Sequence, residues 1–165
     1  MAIVTLQGND INLIGSLPEQ GSSAPDFKLV AGDLSEKSLA DFSSKKKILS
    51  IVPSLDTGVC AASTKIFNDK ISQYDDAVVI IVSADLPFAM SRFCQAESAS
   101  NVISLSMMRD KHFAKDYGVL MTDGSLAGLT ARAIVLINEE NKVAYTELVP
   151  EITQEPDYDA VLALL

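Results

Sequence analysis

The sequence predicts an α/β fold, a central mixed β-sheet flanked by helices and preceded by an N-terminal β-hairpin, and three observations carry that prediction. Apolar runs at 48–52 (ILSIV), 77–84 (AVVIIVSA) and 102–105 (VISL) alternate with helical stretches. Strands that are apolar at nearly every position are buried on both faces, as in a sheet covered by helices. Near the C-terminus, ARAIVLIN and KVAYTELV flank the turn residues Asn138 to Asn141 and read as an antiparallel hairpin. At the N-terminus, residues 2–6 (AIVTL) and 11–14 (INLI) form a second pair of β-like runs joined by QGND.

In that first hairpin Gly8 and Asn9 supply the turn chemistry. GSLPEQGSSAPDF follows as a loop rich in proline and glycine, after which Phe27 to Val30 can form a short strand and SEKSLADF a short helix capped by Ser35 or Ser38. The strand at 48–52 leads into a helix from about Val59 to Tyr74, and the strand at 77–84 into one from about Pro87 to Glu97. A third helix, Arg109 to Tyr117, ends at Gly118 as a C-cap, and VLMTDGSLAGLT is a loop. Asp157 to Leu165 closes the chain as a helix with Pro156 just before it. A β-α-β unit followed by β-β-α is the thioredoxin-like order, although other α/β folds begin the same way, and it places Cys60 at a strand-to-helix junction on the carboxyl edge of the sheet, where sites commonly lie.

At 165 residues the chain suits one domain, 1–165, with a core that needs no metal or disulfide support. No apolar run approaches the ~20 residues of a membrane span, and MAIVTLQGND lacks the pattern of a secretory leader, so a cytoplasmic protein is expected. A net charge of −9 argues against nucleic acid and anionic membrane as partners; the one basic cluster, KKK at 45–47, reads as a solvated turn before a strand. His112 is the only histidine, in a polar helical stretch that suggests a surface position. A two-histidine metal site is therefore impossible.

Two cysteines in a reducing compartment are more often free thiols than a structural bridge. Cys60 follows Pro53 and a short polar loop and falls in the first turn of its helix, with Asp56 or Thr57 as cap. Unpaired backbone N–H groups and the helix dipole favour a thiolate there, and the thiolate is the attacking species. Thr57 can either aim its hydroxyl at the sulfur or only cap the helix; Pro53 either stops the strand or walls off the thiol. Arg132 opens an otherwise apolar strand and must meet an anion, either Cys60 or one of the many carboxylates. Cys94 lies in a helix beginning near Pro87, where a lone cysteine is more often an inert small hydrophobe than a reactive thiol.

These residues carry a resemblance. P-x-x-x-T-x-x-C, as Pro53, Thr57 and Cys60, together with PSLDTGVCAAS, SADLPFAMSRFC, the segment leading to Arg132 and the EPDY before the last helix, resembles the bacterial thiol peroxidases, which are atypical two-cysteine peroxiredoxins. The resemblance spans essentially the whole chain and implies a thioredoxin-like fold of the peroxiredoxin type. It implies Cys60 as peroxidatic and Cys94 as resolving cysteine, Thr57 and Arg132 holding the thiolate and the peroxide oxygens, and Pro53 shielding the pocket. It further implies a homodimer, thioredoxin as reductant, alkyl hydroperoxide and hydrogen peroxide as substrates, and no metal, flavin or haem. Two other readings of the residues stand beside it: a thioredoxin-like disulfide exchanger, against which Ser63 occupies the second position of a C-x-x-C, and a redox-sensing module without turnover.

Overall fold

In the computed structural model, which describes residues 1–165, seven strands form one mixed sheet in the order β4-β3-β7-β6-β5-β8-β9. Its centre is β5 (Lys46–Ile51), paired in parallel with β6 (Ala77–Ser83) and antiparallel with β8 (Ala133–Ile137). Outside these lie β7 (Ile103–Ser106), parallel to β6, β9 (Val143–Leu148), antiparallel to β8, and the short β3 (Leu29–Val30) and β4 (Glu36–Lys37). Every residue of β8 and all but one of β5 and of β6 are buried, as expected for strands covered on both faces.

Helices α1 (Gly58–Ile71), α2 (Pro87–Ala96) and α4 (Tyr158–Leu162) cover one face, with Phe67, Ile71, Met90, Val161 and Leu162 meeting Ile48, Val79, Ile81, Ile134 and Leu136. On the other face α3 (His112–Asp116) and a one-turn 3-10 helix, Leu39–Phe42, pack Phe113 and Leu39 against Leu49, Ile51, Ile80 and Val82. The alternation of strand residues between the two clusters follows from the period of two. No helix is long and apolar enough to cross a membrane.

The N-terminal hairpin, β1 (Ile3–Leu6) and β2 (Asn9–Asn12), stands apart from the main sheet and packs Val4 and Ile11 on Met121, Ala131 and Ile152. Its turn is Gln7–Gly8, one residue earlier than the sequence indicates. Both have positive φ, 52° and 81°, as a type I′ turn requires.

Other differences are local. SEKSLADF splits into β4 and the 3-10 turn, where Ser38 is the cap and its N–H donates to Asp41 at 2.7 Å. The third and last helices are shorter than expected, and Asp157 caps α4 by accepting from the Ala160 N–H. Gly118 does end the third helical segment with φ 69°, in contact with the Ser16 backbone that a Cβ would strike. The expectation of a solvated turn at 45–47 fails for Lys46 and Lys47, which open β5. Lys47 is fully buried, its ammonium donating to the carbonyls of Lys45 (2.8 Å) and Phe42 (3.3 Å), and burial lowers its pKa.

Candidate active site

The site forms where β5 ends. Val52 and Pro53 are buried, and the loop after them turns on the Ser54 carbonyl, which accepts both the Thr57 N–H (3.3 Å) and the Thr57 hydroxyl (3.0 Å). Thr57 is the N-cap of α1 by backbone conformation, and its carbonyl accepts the Ala61 N–H at 3.1 Å. Its side chain caps nothing. The one hydroxyl proton goes to Ser54, so it is not aimed at the sulfur as one reading of the sequence expects. A second clamp comes from the end of β6, where the Asp85 carboxylate accepts from the Ser54 hydroxyl (2.7 Å), the Leu55 N–H (2.8 Å) and the Ser83 hydroxyl (2.7 Å).

Cys60 is the third residue of α1, in the turn whose N–H groups have no helical partner, and its side chain is fully buried. The buried face of α1 is partly polar, with Ser63, Thr64 and Asn68 beside Phe67 and Ile71, whereas Val59 and Ile66 lie half-buried.

Arg132 reaches Cys60 because β8 runs antiparallel to β5: Ala133 pairs with Ile51, which leaves Arg132 at the edge where Cys60 sits. Thr130 fixes this approach by donating to the Val52 carbonyl at 2.9 Å. The guanidinium is 2% exposed and donates from Nη1 to Cys60 Sγ at 3.2 Å. Its Nε and Nη2 both donate to the Ile152 carbonyl, at 3.2 and 3.0 Å. The three ion pairs of the chain are Lys65–Glu97, Lys70–Asp159 and Arg109–Glu36, so no carboxylate neutralises Arg132. A buried cation without an anionic neighbour is costly, and a thiolate at Cys60 would supply the charge it lacks.

Beside this pair opens a cavity of about 330 Å³. Pro53, Thr57 and Arg132 line it together with Val59, the hairpin's Leu6, Leu126 and Leu129 from the loop after α3, and Ile152. Four of the five expected residues, Pro53, Thr57, Cys60 and Arg132, therefore converge. Cys94 lies on α2, half-buried, against the same apolar cluster that contains Cys60, and both thiols are free. Burial raises the pKa of Cys94, opposed in part by the nearby Ser104 side chain. His112 is exposed, as expected, and so is Arg92.

The Redoxin family matches residues 19–162. The chain belongs to that family. Among redoxins it is 53% identical to the thiol peroxidases of Mycobacterium bovis and Mycobacterium tuberculosis, over all of this chain and 99% of each relative. A solved peroxiredoxin-like protein from Aquifex aeolicus superposes with a TM-score of 0.94 at 42% identity, covering 99% of this chain and 95% of the other. The thiol peroxidase of Chromobacterium violaceum superposes at 0.91 with 27% identity, covering 98% and 94%. This redoxin has the thioredoxin-like fold with the added N-terminal hairpin.

The sequence did not single out Asp85, Thr130 or the Ile152 carbonyl. The carbonyl leaves no trace in a string of side-chain letters, and the others contact the site only through the chain's tertiary path. Leu6 carried a signal of a kind, being an apolar residue left at the tip of a short hairpin.

Proposed function

We propose that this redoxin is a thiol-dependent peroxidase in which Cys60 attacks the peroxide and Cys94 resolves the product. The observation that carries the reading is the hydrogen bond from Arg132 Nη1 to Cys60 Sγ in a buried site without a carboxylate partner, beside an apolar-walled cavity. Thiol peroxidase relatives at 53% identity support the class of reaction.

In the first step the Cys60 thiolate attacks the terminal peroxide oxygen; the O–O bond breaks, an S–O bond forms, and the leaving alkoxide or hydroxide takes a proton to give alcohol or water. Charge develops on that leaving oxygen. Arg132 and the N–H groups of the first turn of α1 stabilise it, and Thr57, whose oxygen lone pairs remain available, accepts from the peroxide O–H. Leu6, Leu126, Leu129 and Pro53 suit an alkyl hydroperoxide as well as hydrogen peroxide. Since the sulfur has no exposed surface, the lining must move slightly to admit the peroxide.

In the second step Cys94 condenses with the Cys60 sulfenic acid, releasing water and forming an intramolecular disulfide. A thioredoxin dithiol then reduces it through a mixed disulfide, becoming oxidised itself. The raised pKa of Cys94 keeps it protonated at neutral pH, so it does not compete for peroxide. A bridge demands Cα atoms within roughly 7 Å, which thiols on two separate helices do not ordinarily meet. Parts of α1 and α2 therefore unwind or shift between the two states. A cytoplasmic homodimer is the form in which we expect it to work.

Thioredoxin-coupled consumption of an organic hydroperoxide tests this. Cys60→Ser should abolish it. Cys94→Ser should lose sustained turnover while the first oxidation of Cys60 persists, and normal steady-state turnover of that variant would remove Cys94 from its role. A disulfide exchanger without peroxidase activity would leave the hydroperoxide unconsumed.

A further inference from the structure

We infer that Glu151 is a positioning residue for Arg132, and that the N-terminal hairpin acts on the reaction through it. The inference rests on the role given above to Arg132. Two of the three guanidinium nitrogens are spent on one acceptor, the Ile152 carbonyl, and because the fork is planar and rigid this fixes where Nη1 points. The direction of the Arg132 to Cys60 contact is thus set by the backbone at Ile152, outside the main sheet.

What holds Ile152 is the hairpin. Its N–H donates to the Thr5 carbonyl at 2.9 Å, and the Thr5 N–H donates to the Pro150 carbonyl at 2.8 Å. Between these two bonds sits Glu151, whose carboxylate accepts from the Thr5 hydroxyl (2.6 Å), the Gln7 N–H (3.0 Å) and the Gly8 N–H (3.2 Å). The Thr153 hydroxyl adds a fourth bond at 2.9 Å. Gln7 and Gly8 are the two positive-φ residues of the turn, and successive N–H groups in such a turn converge on a shared anion. So the turn of the hairpin is also a receptor for the carboxylate that anchors residues 150–153. These bonds, the Thr5 hydroxyl first, hold the Glu151 pKa down to about 2, and the carboxylate is charged at all physiological pH values. The path runs hairpin turn, Glu151, Ile152 carbonyl, Arg132, Cys60 sulfur.

A second carboxylate supplies the control. Asp123 accepts from the Asn12 N–H (2.9 Å) and its side-chain amide (2.6 Å), tying down the far end of the hairpin without touching residues 150–153. In full-length protein with Cys94→Ser, so that one thiol reports, we would compare Glu151→Ala, Glu151→Gln and Asp123→Ala. The readouts are thermal unfolding, the rate of alkylation of Cys60 by iodoacetamide from about pH 5 to 9, and its rate of oxidation by tert-butyl hydroperoxide.

Glu151→Ala should slow both reactions about tenfold at neutral pH and move the alkylation profile to higher pH, as expected when one charge-assisted bond to the sulfur is misaligned. Glu151→Gln keeps one acceptor oxygen and should fall between it and the parent, which preserves the test if the alanine variant does not fold. Asp123→Ala should lower the melting temperature and leave the profile in place. A folded Glu151 variant with the parent's profile and rates would overturn the inference, as would an equal shift in Asp123→Ala. Alkylation needs no peroxide, so a parent inert to hydroperoxide whose alkylation profile still moves in Glu151→Ala would refute the peroxidase reading and uphold this one.

Discussion

Arg132 and Thr64 show two opposite fates of a polar side chain placed in a core. Arg132 was conspicuous in the sequence as a cation opening an apolar strand, and its hydrogen bonds account for its burial. The choice between sulfur and carboxylate was not legible in the spacing of the residues, because it depends on which chain segments arrive at the edge of β5; only the family resemblance pointed to the sulfur. Thr64 gave no signal at all, since a threonine in a helix is unremarkable by its letter. It lies one turn after Cys60, fully buried, and its hydroxyl has no partner. A buried hydroxyl without a hydrogen bond costs about 1–3 kcal/mol relative to one in water. Thr64→Val, which keeps the branched shape, should therefore stabilise the reduced protein by about 1 kcal/mol, a rise of roughly 2–4 °C in Tm for a chain of this size. Thermal unfolding of the reduced protein measures it, and a lower Tm would show that the hydroxyl is bonded.

At the scale of elements, the strands and long helices were legible because their signals are local. Ile48, Leu49 and Ile51, like Val79 to Val82, place apolar side chains on both faces and are buried on both. Short elements escaped: Glu36 and Lys37 form β4 by pairing with Leu29 and Val30, a tertiary contact that outweighs their weak strand propensity. Contacts between elements escaped as well, and Asp85 is the instance with most consequence. It stands between β6 and α2, and its carboxylate holds the loop that leads into α1, so one side chain clamps the approaches to both cysteine-bearing helices. Asp85→Ala leaves the Ser54 hydroxyl and the half-buried Leu55 N–H without this acceptor, a loss of roughly 1–3 kcal/mol. The loss should be confined to these approaches. Hydrogen exchange should show faster opening at residues 54–57 and 86–90 with protection in β5, β6 and β8 retained. Uniform loss of protection would make Asp85 a global determinant of stability instead of a local clamp.

Across the whole molecule, stability is divided between an apolar sandwich and a hairpin fastened at its two ends by carboxylates. The main sheet rests on two large buried clusters, whereas the hairpin and the residue after it contribute Val4, Ile11 and Leu13 to a small one, and Glu151 and Asp123 reinforce the few backbone bonds that join the hairpin to the rest. That division was only half visible in the sequence, where the hairpin could be placed but its anchors could not. It makes the two parts respond differently to acid. Both anchoring carboxylates have folded pKa values below their ordinary ones, about 2 for Glu151 and lowered for Asp123, each by hydrogen bonds to the charged form. A depressed folded value means that the unfolded chain binds the proton first, so the stability they contribute is present above about pH 4.5 and is lost as pH falls toward 2. Glu147 works the other way, since burial raises its pKa and acidification relieves a cost. It lies on β9, in the main sheet. Lowering the pH to about 3 should therefore release the hairpin before the sheet, seen as loss of hydrogen-exchange protection at Leu6 and Asn9 while Leu49, Ile81 and Val135 stay protected. Through Ile152 the same release should loosen Arg132 from Cys60, so reactivity of the thiol measured after brief exposure to acid and return to neutral pH should recover as the hairpin re-docks. Simultaneous loss of protection in hairpin and sheet would show that the molecule unfolds as one unit and that the carboxylate anchors do not define a separable part.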